Sequence, residues 1–148
     1  MYGILKVGAV DCSEDEELCE EFSVYSVPTL MIFSESFSDD GEKYTGEMNW
    51  KSISNKATRM MQSFVSIVTS DNYEQFTTRD PSKYKVLLFT ERKSTPPIYK
   101  ALSKQYKDKL LFGEVRRSDA ALIQKFGITE FPKILVITDI HGYAGDVY

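Results

Sequence analysis

The feature that most constrains this chain is an internal repeat of a strand, a short helix, and a second strand that begins after an X-Pro step. Residues 5–33, LKVGAVDCSEDEELCEEFSVYSVPTLMIF, are similar in pattern to residues 110–137, LLFGEVRRSDAALIQKFGITEFPKILVI. From the middle of each helix onward the two copies run in register, and Pro28 matches Pro132. Self-similarity of this kind indicates two related structural units in one chain.

Apolar stretches alternate with helical patterns over the whole chain. In the first part, strands are predicted at residues 4–10, 29–33 and 42–44, and helices at 14–22 and 49–61. In the second part, strands are predicted at 64–68, 84–89, 110–115 and 133–138, and helices at 72–78, 96–106 and 120–126. Gly127 is typical of the left-handed residue that ends a helix. This alternation predicts an α/β fold with a mainly parallel sheet covered on both faces.

The distribution of charge supports a boundary between two modules. Residues 1–62 carry 5 Lys and Arg against 12 Asp and Glu, whereas residues 63–148 carry 13 against 10. The first part therefore has a net charge of -7 and the second of +3. A change of sign between two parts of a chain is typical of separate modules. We expect one module at 1–62 and another at 63–148.

Composition excludes several classes of function. The chain of 148 residues is 42% hydrophobic and 27% charged, which is typical of a globular protein. No apolar run approaches the roughly 18 residues that cross a bilayer. Residues 8–21 turn acidic where a signal peptide would be apolar, so no targeting signal is expected within the chain. The small basic excess of the second module predicts no nucleic-acid partner.

The order of elements, the valine or isoleucine that follows each short helix, and the strand Pro-Thr-Leu-x-Ile-Phe at 28–33 resemble the thioredoxin fold. More narrowly, KVGAVDC followed by LC and VPTLMIF is similar to protein disulfide isomerases of the endoplasmic reticulum, including chaperones that fuse a DnaJ domain to thioredoxin-like units. The resemblance covers essentially the whole chain. It implies a mixed sheet with flanking helices. It also implies that 1–62 is the C-terminal part of one domain, and 63–148 a nearly complete domain without its last helix.

The resemblance implies a geometry and a role for the two X-Pro steps. In the family, the proline at the position of Pro28 and Pro132 is cis, and the backbone just before it faces an extended substrate peptide. The resemblance therefore implies cis bonds at Val27–Pro28 and Phe131–Pro132, each in a peptide-facing site. Without it, an ordinary trans bond would be expected, because cis X-Pro bonds are uncommon in folded proteins.

The redox chemistry of the family needs two cysteines, separated by two residues, at the N-terminus of a helix that lowers a thiol pKa. The stretch LFTERKSTPPIYKAL places other residues in those four positions: Ser94, Thr95, Pro96 and Pro97. A serine cannot form a mixed disulfide and a proline cannot resolve one, so the second unit is predicted to be redox inactive. In the first unit, the elements that would carry the motif would precede Met1. We expect the chain to be a piece of a longer polypeptide or a truncated gene product.

Cys12 and Cys19 lie seven residues apart, at the end of a predicted strand and in the following helix. This spacing is wrong for a catalytic pair. A metal site is disfavoured because His141 is the one histidine. Similar domains of the family favour a structural disulfide, with buried free thiols as the alternative. A disulfide would require an oxidising compartment such as the endoplasmic reticulum lumen.

The leading hypothesis is a redox-inactive module of an endoplasmic reticulum folding factor that binds unfolded client or positions a catalytic domain. The alternative is the substrate-side fragment of an active disulfide oxidoreductase whose Cys-x-x-Cys lies upstream of Met1, and a third hypothesis is a purely architectural domain. No cofactor is expected. Expected partners are unfolded or partly folded proteins, other thioredoxin-like or DnaJ domains of the same polypeptide, and a second copy paired through the unpaired strand 4–10. Phe131 and Tyr99 are candidates for apolar client contacts, with a core role as the alternative for Tyr99.

Overall fold

The structure is a computed structural model, and it describes residues 5–34, 41–137 and 144–147. It divides into two compact units, Met1–Gln62 and Ser63–Tyr148. Among the described residues, no helix combines the length and the apolar character needed to cross a membrane.

The first unit consists of short elements. They are the helix α1 (Glu16–Glu21), the antiparallel strands β1 (Met31–Ile32) and β2 (Glu42–Lys43), and the helix α2 (Trp50–Met60). The side chain of Asn49 caps α2 by accepting a hydrogen bond of 2.9 Å from the backbone of Ser52. Two side chains are buried among the described residues of this unit, those of Cys19 and Met60. The first unit therefore lacks an extensive core of its own within the described residues.

The strand predicted at 4–10 is wrong for the part of it that the structure describes. Residues 5–10 form no strand, residues 6–10 are exposed, and the side chain of Val7 is 93% exposed. The equivalent segment of the second unit is a buried strand with a partner on each side. The apolar pattern of 4–10 is thus not sufficient for a strand, since backbone groups without a partner strand are left to water.

The second unit is an α/β unit with a five-stranded sheet. Its strands are β3 (Val65–Ile67), β4 (Tyr84–Thr90), β5 (Leu110–Arg116), β6 (Lys133–Ile137) and β7 (Ala144–Val147). Its helices are α3 (Tyr73–Thr78), α4 (Pro97–Gln105) and α5 (Ala120–Lys125). The sequence predicts the other elements to within two residues at each end, and it predicts at residues 140–148 a turn that could start one more strand, where β7 lies. Gly127 has a φ of 59° and ends α5 as predicted.

The sheet is mixed, with the strand order β3-β5-β4-β6-β7. β5 lies between β3 and β4 and runs parallel to both, whereas β6 is antiparallel to β4 and β7 is antiparallel to β6. The prediction of a mainly parallel sheet is therefore only partly correct. The mixed sheet that the resemblance implies is confirmed.

Alternating side chains of β4 and β5 point to two apolar layers. One layer includes Leu87, Phe89 and Val115 and is packed by Phe76 of α3 and Leu122 of α5. The other layer includes Val86, Leu88, Phe112 and Tyr99 of α4. Gly113 is required in the first layer, because a Cβ there would lie 2.6 Å from Leu87 and 2.9 Å from Phe76. Helices thus cover both faces of the sheet.

Candidate functional site

One edge of the second unit brings together the predicted site residues. β4 ends at Thr90, which pairs with Arg116 at the end of β5. Phe89 pairs with both Val115 and Lys133, and Lys133 is the first residue of β6. The segments that follow β4 and β5 and the segment that precedes β6 therefore meet at the same edge of the sheet. We call this the carboxyl edge, and it consists of residues 91–97, 116–118 and 130–133.

Both X-Pro bonds implied to be cis have that geometry. Val27–Pro28 and Phe131–Pro132 are cis peptide bonds. Val27 is 74% exposed. Phe131 is partly buried and packs against the larger apolar layer of the second unit, with its ring 5.6 Å from the guanidinium carbon of Arg117. The backbone before each proline is thus placed at the surface of its unit.

The four residues predicted to stand in place of Cys-x-x-Cys run from the loop after β4 to the first residue of α4. Ser94 is exposed, and Thr95, Pro96 and Pro97 are partly buried. Pro97 is the first residue of α4 and Pro96 occupies the N-cap position, where no side chain caps the helix. This segment belongs to the carboxyl edge, and none of its side chains is a thiol.

Two consecutive arginines hold the start of this segment. The Nε of Arg116 lies 3.0 Å from Oε1 of Glu114, which is completely buried, and Arg116 also donates to the backbone carbonyls of Arg92 and Lys93. Among the described residues, Oε2 of Glu114 has no hydrogen-bond partner. One guanidinium therefore joins a buried carboxylate to the loop that leads to Ser94.

The next arginine acts on the other side of the loop. Arg117 forms an ion pair with Glu91, stacks over Phe131, and donates its backbone N–H to Thr90 at 3.0 Å. Arg116 thus holds the loop through its carbonyls, and Arg117 holds it through Glu91. The loop and the cis-proline segment are thereby connected through Arg117.

Neither arginine nor Glu114 was identified from the sequence as part of a site. The signal is present in LLFGEVRR, where a carboxylate interrupts an apolar strand and two cations follow. A carboxylate on the buried side of a strand needs a countercharge, and the neighbour two residues on lies on the same face.

Tyr99 is not available for client contact, and the alternative core role is the right one. Its side chain is 3% exposed, and its hydroxyl donates to the carbonyls of Val86 and Gly113 at 3.0 and 2.9 Å. Burial, and secondly the carboxylate of Glu114, raise the pKa of the Tyr99 hydroxyl well above its ordinary value. Tyr99 therefore stays a neutral donor that fastens α4 to the sheet.

Cys12 and Cys19 form a disulfide that joins the segment before α1 to the helix itself, with their Cα atoms 5.8 Å apart. The sulfur of Cys19 belongs to one of the few buried side chains of the first unit. The predicted disulfide is present, and the alternative of free thiols is wrong. No group of three potential metal ligands occurs in the described part of the chain, and His141 lies outside it.

Replacing both cysteines by serine is expected to destabilise α1 and its preceding loop by about 2 kcal/mol, because the small closed loop gains conformational entropy when unfolded. Amide hydrogen exchange of residues 16–21, compared between oxidised protein and the Cys12→Ser/Cys19→Ser variant, measures this. Unchanged protection would show that the disulfide does not stabilise the helix. Exchange in β4 is the internal control and should not change.

The chain is similar to proteins named as protein disulfide-isomerases and DnaJ proteins, although no family model matches it. It is 33% identical over 145 residues to a Dictyostelium discoideum protein whose name assigns it to the protein disulfide-isomerases, covering 95% of this chain and 35% of that one. It is 24% identical over 139 residues to the DnaJ protein ERDJ3A of Oryza sativa, covering 90% and 24%. The chain thus spans about a third or less of these relatives.

Solved structures agree on the fold. Full-length ERdj5 superposes with a TM-score of 0.59 at 20% identity, over 93% of this chain and 21% of that chain. Thioredoxin f from spinach chloroplast superposes with a TM-score of 0.50 at 18% identity, over 59% of this chain and 81% of that chain. These likenesses, together with the strand order of the second unit, show a thioredoxin-like fold.

Proposed function

We propose that this chain, which belongs to the thioredoxin-like protein disulfide isomerase family, is a redox-inactive module of an endoplasmic reticulum folding factor. In this proposal the second unit holds extended segments of unfolded client proteins, or positions a catalytic domain of the same polypeptide. The observation that carries it is the carboxyl edge, where a cis-proline segment is kept next to four residues that contain no thiol.

The positions of the two cysteines support redox inactivity. The chain has two cysteines, and they are bonded to each other in the first unit. At the start of α4, where the family carries its reactive thiols, Ser94 and Pro97 offer neither a nucleophilic sulfur nor a second sulfur to release a mixed disulfide. Thiol–disulfide exchange by the family mechanism has no starting group at this site.

Client binding is supported by the surface at Phe131–Pro132. An extended peptide gains affinity mainly from main-chain hydrogen bonds, and side-chain contacts add selectivity. Phe131 offers a partly exposed ring, and Ile98 in the first turn of α4 is 62% exposed. Both lie beside the carboxyl edge, so a bound segment would meet apolar side chains as well as backbone.

The first unit is proposed to be the C-terminal part of a further thioredoxin-like domain. Its cis-proline segment matches that of the second unit, yet large apolar side chains such as Val7, Tyr25 and Trp50 are more than three-quarters exposed. A domain of this fold would cover part of this surface with additional strands. Pairing of residues 6–10 with a second copy of the chain remains a hypothesis, which sedimentation of the purified chain tests.

The endoplasmic reticulum lumen is the proposed location. The disulfide between Cys12 and Cys19 is expected to persist in an oxidising compartment. The proposed partners are unfolded or partly folded proteins, and other thioredoxin-like or DnaJ domains of the same polypeptide. The names of the relatives are consistent with this setting.

A second candidate function is that of a substrate-side fragment of an active disulfide oxidoreductase. It is favoured by the Dictyostelium relative, which is named as an isomerase and of which this chain covers 35%. The sequence encoded before Met1 distinguishes the two candidates. A Cys-x-x-Cys there, at the start of a helix, would favour the enzyme, and its absence would favour the inactive module.

The proposal predicts that the chain does not reduce insulin but binds a reduced, unfolded protein weakly. Phe131→Ser is expected to weaken that binding about tenfold, since one buried aromatic contact is worth about 1.4 kcal/mol or more. The fluorescence anisotropy of a labelled unfolded client measures the affinity of the unaltered chain and of the variant. Tyr84→Ser is the matched control, because Tyr84 is 56% exposed at the opposite end of β4. Equal binding by all three chains would contradict the proposal, as would insulin turnover by the unaltered chain.

A further inference from the structure

The carboxyl edge is basic at its surface. Four cations lie on the segments that follow β4 and β5: Arg92, Lys93, Arg116 and Arg117. Lys133 adds a fifth at the start of β6. The carboxylates of the same edge are Glu91, which pairs with Arg117, and Glu130, which is exposed and forms no ion pair among the described residues, so the cations remain in excess.

Ion pairs within the edge determine which of its cations are left to contact a ligand. Glu114 is buried and paired with Arg116, and Glu91 is paired with Arg117. Within the described residues, the exposed side chains of Arg92 and Lys93 form no ion pair. Arg92 and Lys93 are therefore two exposed cations on the loop next to Ser94, without an ion-pair partner in the described part of the chain.

The same edge offers apolar contacts close to these cations. Arg117 touches both Glu91 at the start of the loop and the ring of Phe131, so the loop and the cis-proline segment are direct neighbours. Ile98 lies in the first turn of α4, four residues after Ser94, and is largely exposed. The edge therefore offers an extended ligand an aromatic ring at Phe131, an exposed aliphatic side chain at Ile98 and the two cations of the loop.

From this arrangement we propose that the carboxyl edge selects extended client segments in which acidic residues alternate with apolar ones. The proposal rests on the function proposed above and names the class of client that this site prefers. Arg92 and Lys93 would attract the carboxylates, while Phe131 and Ile98 would contact the apolar side chains. The net charge of +3 of residues 63–148 favours the same ligands at longer range.

Three extended peptides of equal length test this preference. Each alternates leucine with one polar residue, which is glutamate, glutamine or lysine, and each contains a central proline and a fluorescent label. The unaltered chain is expected to bind the glutamate peptide about tenfold more tightly than the glutamine peptide, and the lysine peptide most weakly. Raising the ionic strength from about 0.05 to 0.5 M should reduce the difference, since exposed charges are screened over about 4 Å at the higher value.

A charge-reversal pair locates the effect. Arg92→Glu/Lys93→Glu is expected to remove the preference for glutamate, while the glutamine peptide still binds. Lys107→Glu/Lys109→Glu is the matched control, because it changes the net charge equally with two exposed residues that precede β5 at the opposite edge. The control should keep the preference.

The outcomes separate this inference from the proposed function. If all three peptides bind equally and lose affinity with Phe131→Ser, the acidic preference is wrong and the client-binding edge stands. If no peptide binds and Phe131→Ser has no effect with unfolded protein, both are wrong. Equal loss of preference in the two charge-reversal variants would show a general charge effect and overturn the assignment to Arg92 and Lys93.

Discussion

Arg116→Met is expected to lower the free energy of unfolding of the second unit by about 3 kcal/mol, since it leaves a buried carboxylate without its countercharge. Glu114 is completely buried, and Arg116, at 3.0 Å, is its one ion-pair partner among the described residues. The arginine also holds the carbonyls of Arg92 and Lys93, so its loss frees the loop as well. Urea denaturation followed by far-ultraviolet circular dichroism, with amide exchange of β5, measures the effect.

A double variant distinguishes the buried charge from the loop contacts. Glu114→Leu/Arg116→Met removes both charges from a layer that already contains Leu88 and Phe112, and it is expected to recover most of the lost stability. Arg79→Met is the control, because the Arg79 guanidinium donates to the hydroxyl of Ser66 rather than to a buried carboxylate. A single variant as stable as the unaltered chain, or a double variant no better than the single one, would contradict this account.

Local sequence patterns predicted strands correctly where the structure provides neighbouring strands for them to pair with. β4 and β5 are rich in apolar residues, and each is buried between two neighbouring strands. The segment 4–10 has a similar pattern, but its described residues have no partner strand, and residues 6–10 are exposed. An apolar run therefore indicates a tendency to form a strand, which only a partner's hydrogen bonds can realise.

The site could be predicted from the sequence only in outline. The internal repeat and the family resemblance placed Pro132 and the Ser94–Pro97 segment, because both follow from chain order. The arrangement of Glu114, Arg116 and Arg117 depends on which residues the sheet brings side by side, and β4 and β5 are separated by the whole of α4. Tyr99 shows the same limit, since its burial depends on which face of α4 meets the sheet.

Ser94→Cys/Pro97→Cys is expected to give the second unit measurable insulin reductase activity, which the proposed function predicts to be absent from the unaltered chain. The substitutions place two thiols three positions apart at the start of α4, where a helix N-terminus lowers the pKa of a thiol and favours the thiolate. Ser94 is exposed, so a thiolate there could reach a substrate disulfide, and the cis-proline segment lies at the same edge. Precipitation of insulin chains in the presence of dithiothreitol, corrected for the uncatalysed rate, measures the gain.

Two control variants make this result specific to the dithiol. Ser94→Cys alone should form mixed disulfides with substrate but turn over slowly, because no second thiol releases them. Cys12→Ser/Cys19→Ser, combined with the two new cysteines, should retain the gained activity, since the structural disulfide lies in the other unit. The dithiol variant could fold, show two accessible thiols in a thiol titration and still not reduce insulin. The carboxyl edge would then lack a further requirement for activity besides the two cysteines. The held conformation of the loop at Arg116 and Arg117 would then be the feature that separates this unit from an active one, and Arg116→Met in the dithiol background would test it directly.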